Sequence, residues 1–154
     1  PSREPVKQKA KSRVQRTEIS CQKGRYQQAM QINSAKDLKV YQKAYEVAMR
    51  LFRLSQSFPV EEKFALTSQI RRSSRSICLN LREAWAKRRY EAHFVSKLTD
   101  ADGENQEVEH WLLTARRDGY LSPPELDELL ALKRNVGAKL GKMIQNPGPF
   151  LLKP

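Results

Sequence analysis

The chain has 154 residues, a net charge of +12 and an apolar share of 39%. That length most simply makes one domain, and the low apolar share leaves part of the chain outside any core. So large a cationic excess points to a polyanionic partner, nucleic acid or an anionic membrane surface. No apolar run is long enough to span a membrane. The two cysteines, Cys21 and Cys78, form no metal-ligand spacing, so neither a disulfide framework nor a zinc site is expected and a reducing compartment is the default.

Residues 1–34 carry eight Lys/Arg against two Asp/Glu, and residues 35–154 carry 21 against 15. The first segment is therefore far more basic per residue. Its apolar residues are scarce and follow no period, so it reads as a leader without a stable fold of its own. It lacks the apolar stretch of a secretory signal. It is Arg-rich and acid-poor as transit peptides are, but shows no amphipathic period, and the expected location is the cytoplasm. Two readings of this leader stand open: a solvated tail, or a basic arm in which Lys7, Lys9, Lys11, Arg13 and Arg16 grip phosphates.

A first helix is expected from Ser34 or Asp37, either of which suits an N-cap. Leu38, Tyr41, Tyr45, Ala48 and Phe52 form one apolar stripe, and Val40, Ala44, Val47, Leu51 and Leu54 a second. Together they predict a broad buried face. Ser57-Phe58-Pro59 ends this helix, because the residue before proline is pushed out of the α region.

A second helix should run from about Glu61-Glu62 to Ala86. At about 100° per residue, Leu66, Ile70, Ile77, Leu81 and Ala84 form a core stripe. Arg71, Arg75, Cys78, Arg82, Trp85 and Arg89 fall within an arc of roughly 80° on another side. Lys87-Arg88-Arg89 marks a tight turn. The third helix spans Glu91 to Arg117, with Phe94, Leu98, Ala101, Asn105, Val108, Leu112 and Ala115 facing inward. Gly103 sits mid-helix and is read as a point of close approach by another helix. Asp100, Glu104, Glu107 and Trp111 form an acidic stripe about 60° wide. Asp118-Gly119 reads as a C-cap. The fourth helix opens at Ser122-Pro123-Pro124-Glu125, a capping box with proline at the first position. Its inner face holds Leu126, Leu129, Val136, Leu140 and Met143, and Asn146-Pro147-Gly148-Pro149 stops it.

Four helices with short connections predict an all-α, antiparallel up-down four-helix bundle over residues 35–146, with a short tail at 147–154. The two charged stripes admit two readings. One is ordinary solvated faces of mixed charge. The other is a contact, within or between chains, of Arg71, Arg75, Arg82 and Trp85 with Asp100, Glu104, Glu107 and Trp111. Between chains, two unlike patches pairing head to tail generate a ring.

Catalytic signatures are missing. His93 and His110 lie roughly 25 Å apart on one helix, too far to share a metal. Glu107 and His110 have the spacing of a bundle metal site, but no partner copy appears on another helix. No phosphate loop, nucleophile motif or triad is present. Arg71-Arg72-Ser73-Ser74 looks like a kinase target but falls in a packed helix. The chain is expected to be no enzyme and to need no cofactor.

The stretch Thr67-Ser68-Gln69-Ile70-Arg71-Arg72, followed by Ser76-Ile77, Asn80 and Glu83, resembles the central signature of the 23S rRNA intervening-sequence proteins. Leu38-Lys39-Val40-Tyr41-Gln42-Lys43-Ala44-Tyr45, Ser57-Phe58-Pro59, Phe94, Leu98, Ala101, Gly103, Glu107 and Asp118-Gly119-Tyr120-Leu121-Ser122 match in order and spacing. The resemblance covers about residues 36 to 145. It implies a four-helix bundle assembling as a homopentameric ring. It is also similar to a related branch, the accessory variability determinants of diversity-generating retroelements, which bind a reverse transcriptase and its RNA. Leu79 and Arg82 stand where the pattern has small residues, Ala84 where it has glycine, and Lys97 and Asp100 where it has apolar ones. The functional expectation is an oligomeric RNA-binding protein using the leader cations with Lys87, Arg88 and Arg89. The alternative is a scaffold for a reverse transcriptase.

Overall fold

The computed structural model describes residues 32–153. They form four helices: α1 (Lys39–Leu54), α2 (Leu66–Lys87), α3 (Glu91–Arg117) and α4 (Pro123–Gln145), with no strand among the described residues. Each helix packs on its neighbours in the chain, and α4 closes back onto α1. Contacts between α2 and α3 pair Arg72 with Glu107 and Glu83 with Lys97, so the two helices run in opposite directions. Gln106 and Glu109 of α3 meet Lys133 of α4, while Asp102 and Asn105 lie by Gly137, again antiparallel.

The helix ends follow from local chemistry, with two departures from expectation. Ser34 and Asp37 form their capping box around a single 3-10 turn, Ala35–Asp37, in which the Ser34 N–H donates to Asp37 Oδ2 at 2.9 Å. Leu38 is then extended and α1 starts at Lys39. Glu61 and Glu62 likewise lie in a 3-10 turn, and α2 begins at Leu66. Glu62 still serves the positive end of that helix, since its Oε2 accepts the Leu66 N–H at 3.3 Å. At the far end of α3, Gly119 takes φ +82°, the left-handed conformation glycine adopts freely. The Tyr120 N–H reaches the Ala115 carbonyl at 2.8 Å and the Gly119 N–H reaches that of Arg116 at 3.2 Å, a Schellman stop. The Ser122 capping box opens α4 as the sequence predicts. The Ser122 hydroxyl, and then its backbone N–H, hold the Glu125 carboxyl below the usual range.

The stripes expected on α2 and α3 are the buried ones, including Asn105. On α1 one stripe is inside except at Leu54, which is half-buried, and the other is inside only at Leu38 and Ala48. Val40, Ala44, Val47 and Leu51 are buried, whereas Tyr41 and Phe52 are half-buried and Tyr45 is 51% exposed. On α4 the inner row includes Lys133, which fills the heptad step between Leu129 and Val136 and is buried. Its ammonium is satisfied by Gln106 Oε1 at 2.9 Å and by an ion pair with Glu109. The close approach expected at Gly103 occurs instead at Gly137. A Cβ there would lie 3.1 Å from Asn105 Nδ2, whereas one at Gly103 would meet nothing within 4 Å.

A buried ammonium is costly once its partner is removed and dispensable when replaced by an apolar chain of similar length. Glu109→Leu should therefore lower stability by about 1–3 kcal/mol, with Lys133→Met near neutral or stabilising, as read by chemical denaturation. The reverse order would show that Lys133 is not held by Glu109.

Candidate nucleic-acid and subunit interface

Helical periodicity gives α2 two flanks beside its buried stripe, and the bundle turns each toward a different neighbour. The flank toward α1 carries the arginine row. Arg71 Nε donates to Ser55 Oγ at 2.7 Å, and its guanidinium lies 4.9 Å from the centre of the Phe52 ring. Arg75 approaches the same ring at 5.7 Å. Both are cation–π contacts, which hold the guanidinium groups over the aromatic without neutralising them. Further along α1, Tyr41 and Tyr45 stack at 6.4 Å. At the end of α2, Arg88 lies 4.0 Å from the Trp85 ring and donates to the Trp85 carbonyl at 2.6 Å.

Among the described residues, no carboxylate lies within ion-pair distance of Arg71, Arg75, Arg82 or Arg89. Cys78 belongs to this row by angle but is buried, and burial pushes its thiol up to about 11. Leu79, on the outer side of α2, is 57% exposed. The α1–α2 face is thus cationic and aromatic. Sequence reasoning found its arginines and Trp85 and missed the aromatics that α1 contributes. The signal was present in Tyr41, Tyr45 and Phe52, which stand four and seven residues apart and so share a flank, but they were assigned to the core.

The flank toward α3 carries the acidic stripe. Arg72, which is not part of the arginine row, pairs with Glu107 at 3.5 Å. Lys97 bridges Glu83 at 2.9 Å and Asp100 at 3.1 Å. These carboxylates, Glu83 first, raise the pKa of its ammonium. Four carboxylates (Glu83, Asp100, Glu104, Glu107) share two cations (Arg72, Lys97), which leaves the seam negative. Two polar atoms in it, Glu104 Oε2 and Trp111 Nε1, are shielded from solvent with no hydrogen-bond partner among the described residues. The arginine row and the acidic stripe therefore lie on opposite flanks of α2 and do not meet within the chain.

Of the candidate phosphate contacts, Lys87 and Arg89 are exposed at the α2–α3 turn, while Arg88 is folded onto Trp85. The chain end returns to the same place, where the Leu152 N–H donates to the Arg88 carbonyl at 3.2 Å and Phe150 stacks on Phe94 at 6.2 Å. Lys7, Lys9, Lys11, Arg13 and Arg16 lie outside the described residues. No group of three or more His, Cys, Asp or Glu among the described residues is placed to hold a metal ion. No described helix is long and apolar enough to cross a membrane. Ser73 and Ser74 are buried, and their hydroxyls donate to the Gln69 and Arg71 carbonyls, so the kinase-like motif is structural.

The described residues form an all-helical bundle with a cationic aromatic face, an acidic seam and a basic turn. More particularly, the chain belongs to the family of the 23S rRNA-intervening sequence protein, whose model matches residues 36–142. It is also similar to a crystal structure from Bacteroides thetaiotaomicron, described as a protein with unknown function from the S23 ribosomal protein family. The two share 30% sequence identity and a TM-score of 0.64, over 70% of this chain and 96% of that one. No curated protein matches the chain.

A thiol raised to about 11 is almost wholly protonated at pH 8. In a Cys21→Ser background, Cys78 should react with a thiol-specific disulfide reagent at least about a hundred-fold more slowly in the native state than in denaturant. Equal rates would place Cys78 at an accessible surface.

Proposed function

We propose that the protein is a non-enzymatic, oligomeric RNA-binding protein, an up-down bundle that assembles head to tail as a five-fold ring and contacts RNA mainly through phosphate. One observation carries the RNA reading. Lys87 and Arg89 are exposed cations without carboxylate partners among the described residues, in a chain whose first 34 residues add eight more Lys/Arg. Uncompensated cations attract a polyanion by releasing its counterions, which gives salt-sensitive and weakly sequence-specific binding. The family's description names 23S rRNA, which favours RNA as the polyanion in this reading.

Support for a ring comes from the separation of the two stripes. Faces of unlike charge on different sides of a bundle pair readily head to tail, each copy offering one face to one neighbour and the other face to the next. Head-to-tail contacts form a ring where the rotation between copies closes, and the family resemblance implies five copies. A ring would also repeat the basic turn and leader around one axis and strengthen RNA binding by multivalency. The scaffold reading, with a reverse transcriptase as partner, draws on Val60 and Phe64. These are 75% and 83% exposed on the α1–α2 connection, at the end of the bundle away from the basic turn, where a protein could grip them.

Two full-length variants separate the readings. One carries glutamine at Lys7, Lys9, Lys11, Arg13 and Arg16, and the other is Lys87→Glu with Arg89→Glu. If each replaced cation holds one phosphate, the slope of log affinity against log salt should fall by roughly 0.7–0.9 per cation, as measured by fluorescence anisotropy with a structured RNA. Unchanged affinity and slope in both variants would refute binding through these groups and leave the scaffold.

A further inference from the structure

We infer that the aromatic and arginine face of α1–α2 is the seat for α3 of a second copy of this chain, with the surface around Gly103 as the point of closest approach. The inference rests on the ring reading above and names its two surfaces. The seat is built from Tyr45, Phe52, Arg75, Leu79 and Arg82. Tyr45 and Leu79 are 51% and 57% exposed, apolar surface that the single chain leaves uncovered. Arg75 lies beside the Phe52 ring, positioned with its charge uncompensated. Interface centres favour this combination of arginine with large aromatics.

The occupant follows from charge complementarity and from pitch. Arg75 and Arg82 stand seven residues apart on α2, and Asp100 with Glu107, like Glu104 with Trp111, stand at the same interval on α3. Seven helical residues rise about 10.5 Å, so the two rows match in register. Beside the acidic row, Ala92, Ser96, Thr99 and Gly103 form an exposed line of short side chains along the outer side of α3. Gly103 is unexplained by the single chain. It weakens the middle of a 27-residue helix, yet a Cβ there would meet nothing within 4 Å. A second copy laid on that line accounts for it, because the short side chains let its Tyr45 and Leu79 come close while Asp100 and Glu107 reach its arginines.

The decisive variant is one that the single chain favours and the contact forbids. Gly103→Leu adds a good helix former in open space, so helicity by circular dichroism should hold or rise, while the concentration at which the oligomer dissociates should increase about ten-fold or more, measured by light scattering of the full chain. Tyr45→Ser should weaken the oligomer comparably from the other side, again with helicity retained. An oligomer as stable in both variants as in the wild type would overturn this assignment of faces and leave the ring reading standing. A wild-type chain that stays monomeric at every concentration would overturn both. If Tyr45→Ser instead leaves the mass unchanged and abolishes RNA binding, the face is a nucleic-acid surface and the assignment fails.

Discussion

Burial of one stripe of α2, Leu66, Ile70, Ile77, Leu81 and Ala84, fixes the rotation of that helix, and the rest of the molecule follows from it. Each large member contributes about 1.5–3 kcal/mol by leaving water, so turning α2 by one residue would forfeit far more than any surface interaction could return. With the stripe locked inward, Arg71, Arg75 and Arg82 must face α1, and Arg72 and Glu83 must face α3. The sorting of charge onto two sides of the bundle is thus a consequence of core packing.

Polar groups inside the core make the packing specific rather than strong. Lys133 finds Gln106 and Glu109 only when α3 and α4 are in one register. The same register brings Gly137 against Asn105, where any larger residue would press on the amide. Buried polar groups of this kind penalise slipped pairings more than they stabilise the correct one. The seating of α3 also sets where the acidic seam and the small-residue line around Gly103 lie, since both ride on that helix.

Much of this was legible in the sequence because helical period and caps are local. The stripe on α2, the full extent of α3, the glycine stop at Gly119 and the Ser122 box all depend on residues within two turns of one another. The family was legible too, in the run from Thr67 to Arg72 and its outlying matches. What failed was whatever depends on a distant partner. Tyr41, Tyr45 and Phe52 look like core residues by period, and only the position of α2 shows that they form the rim of a face. Lys133 looks like an interruption until Glu109 stands opposite it. Gly103 and Gly137 are both mid-helix glycines, and the sequence gives no way to tell which of them meets a neighbour. Ser34 and Glu62 cap as their chemistry requires, but on 3-10 turns that lie just outside the helices they were expected to start.

The central claim is that the charge left uncompensated in this family member binds RNA on an oligomer. Its most direct test is the solution mass of the full chain with and without a short structured RNA, followed from low to high salt by analytical ultracentrifugation. The account predicts an oligomer that gains mass with RNA at low salt and releases it as salt rises, because the contacts are chiefly to phosphate. A mass indifferent to RNA at low salt would contradict it.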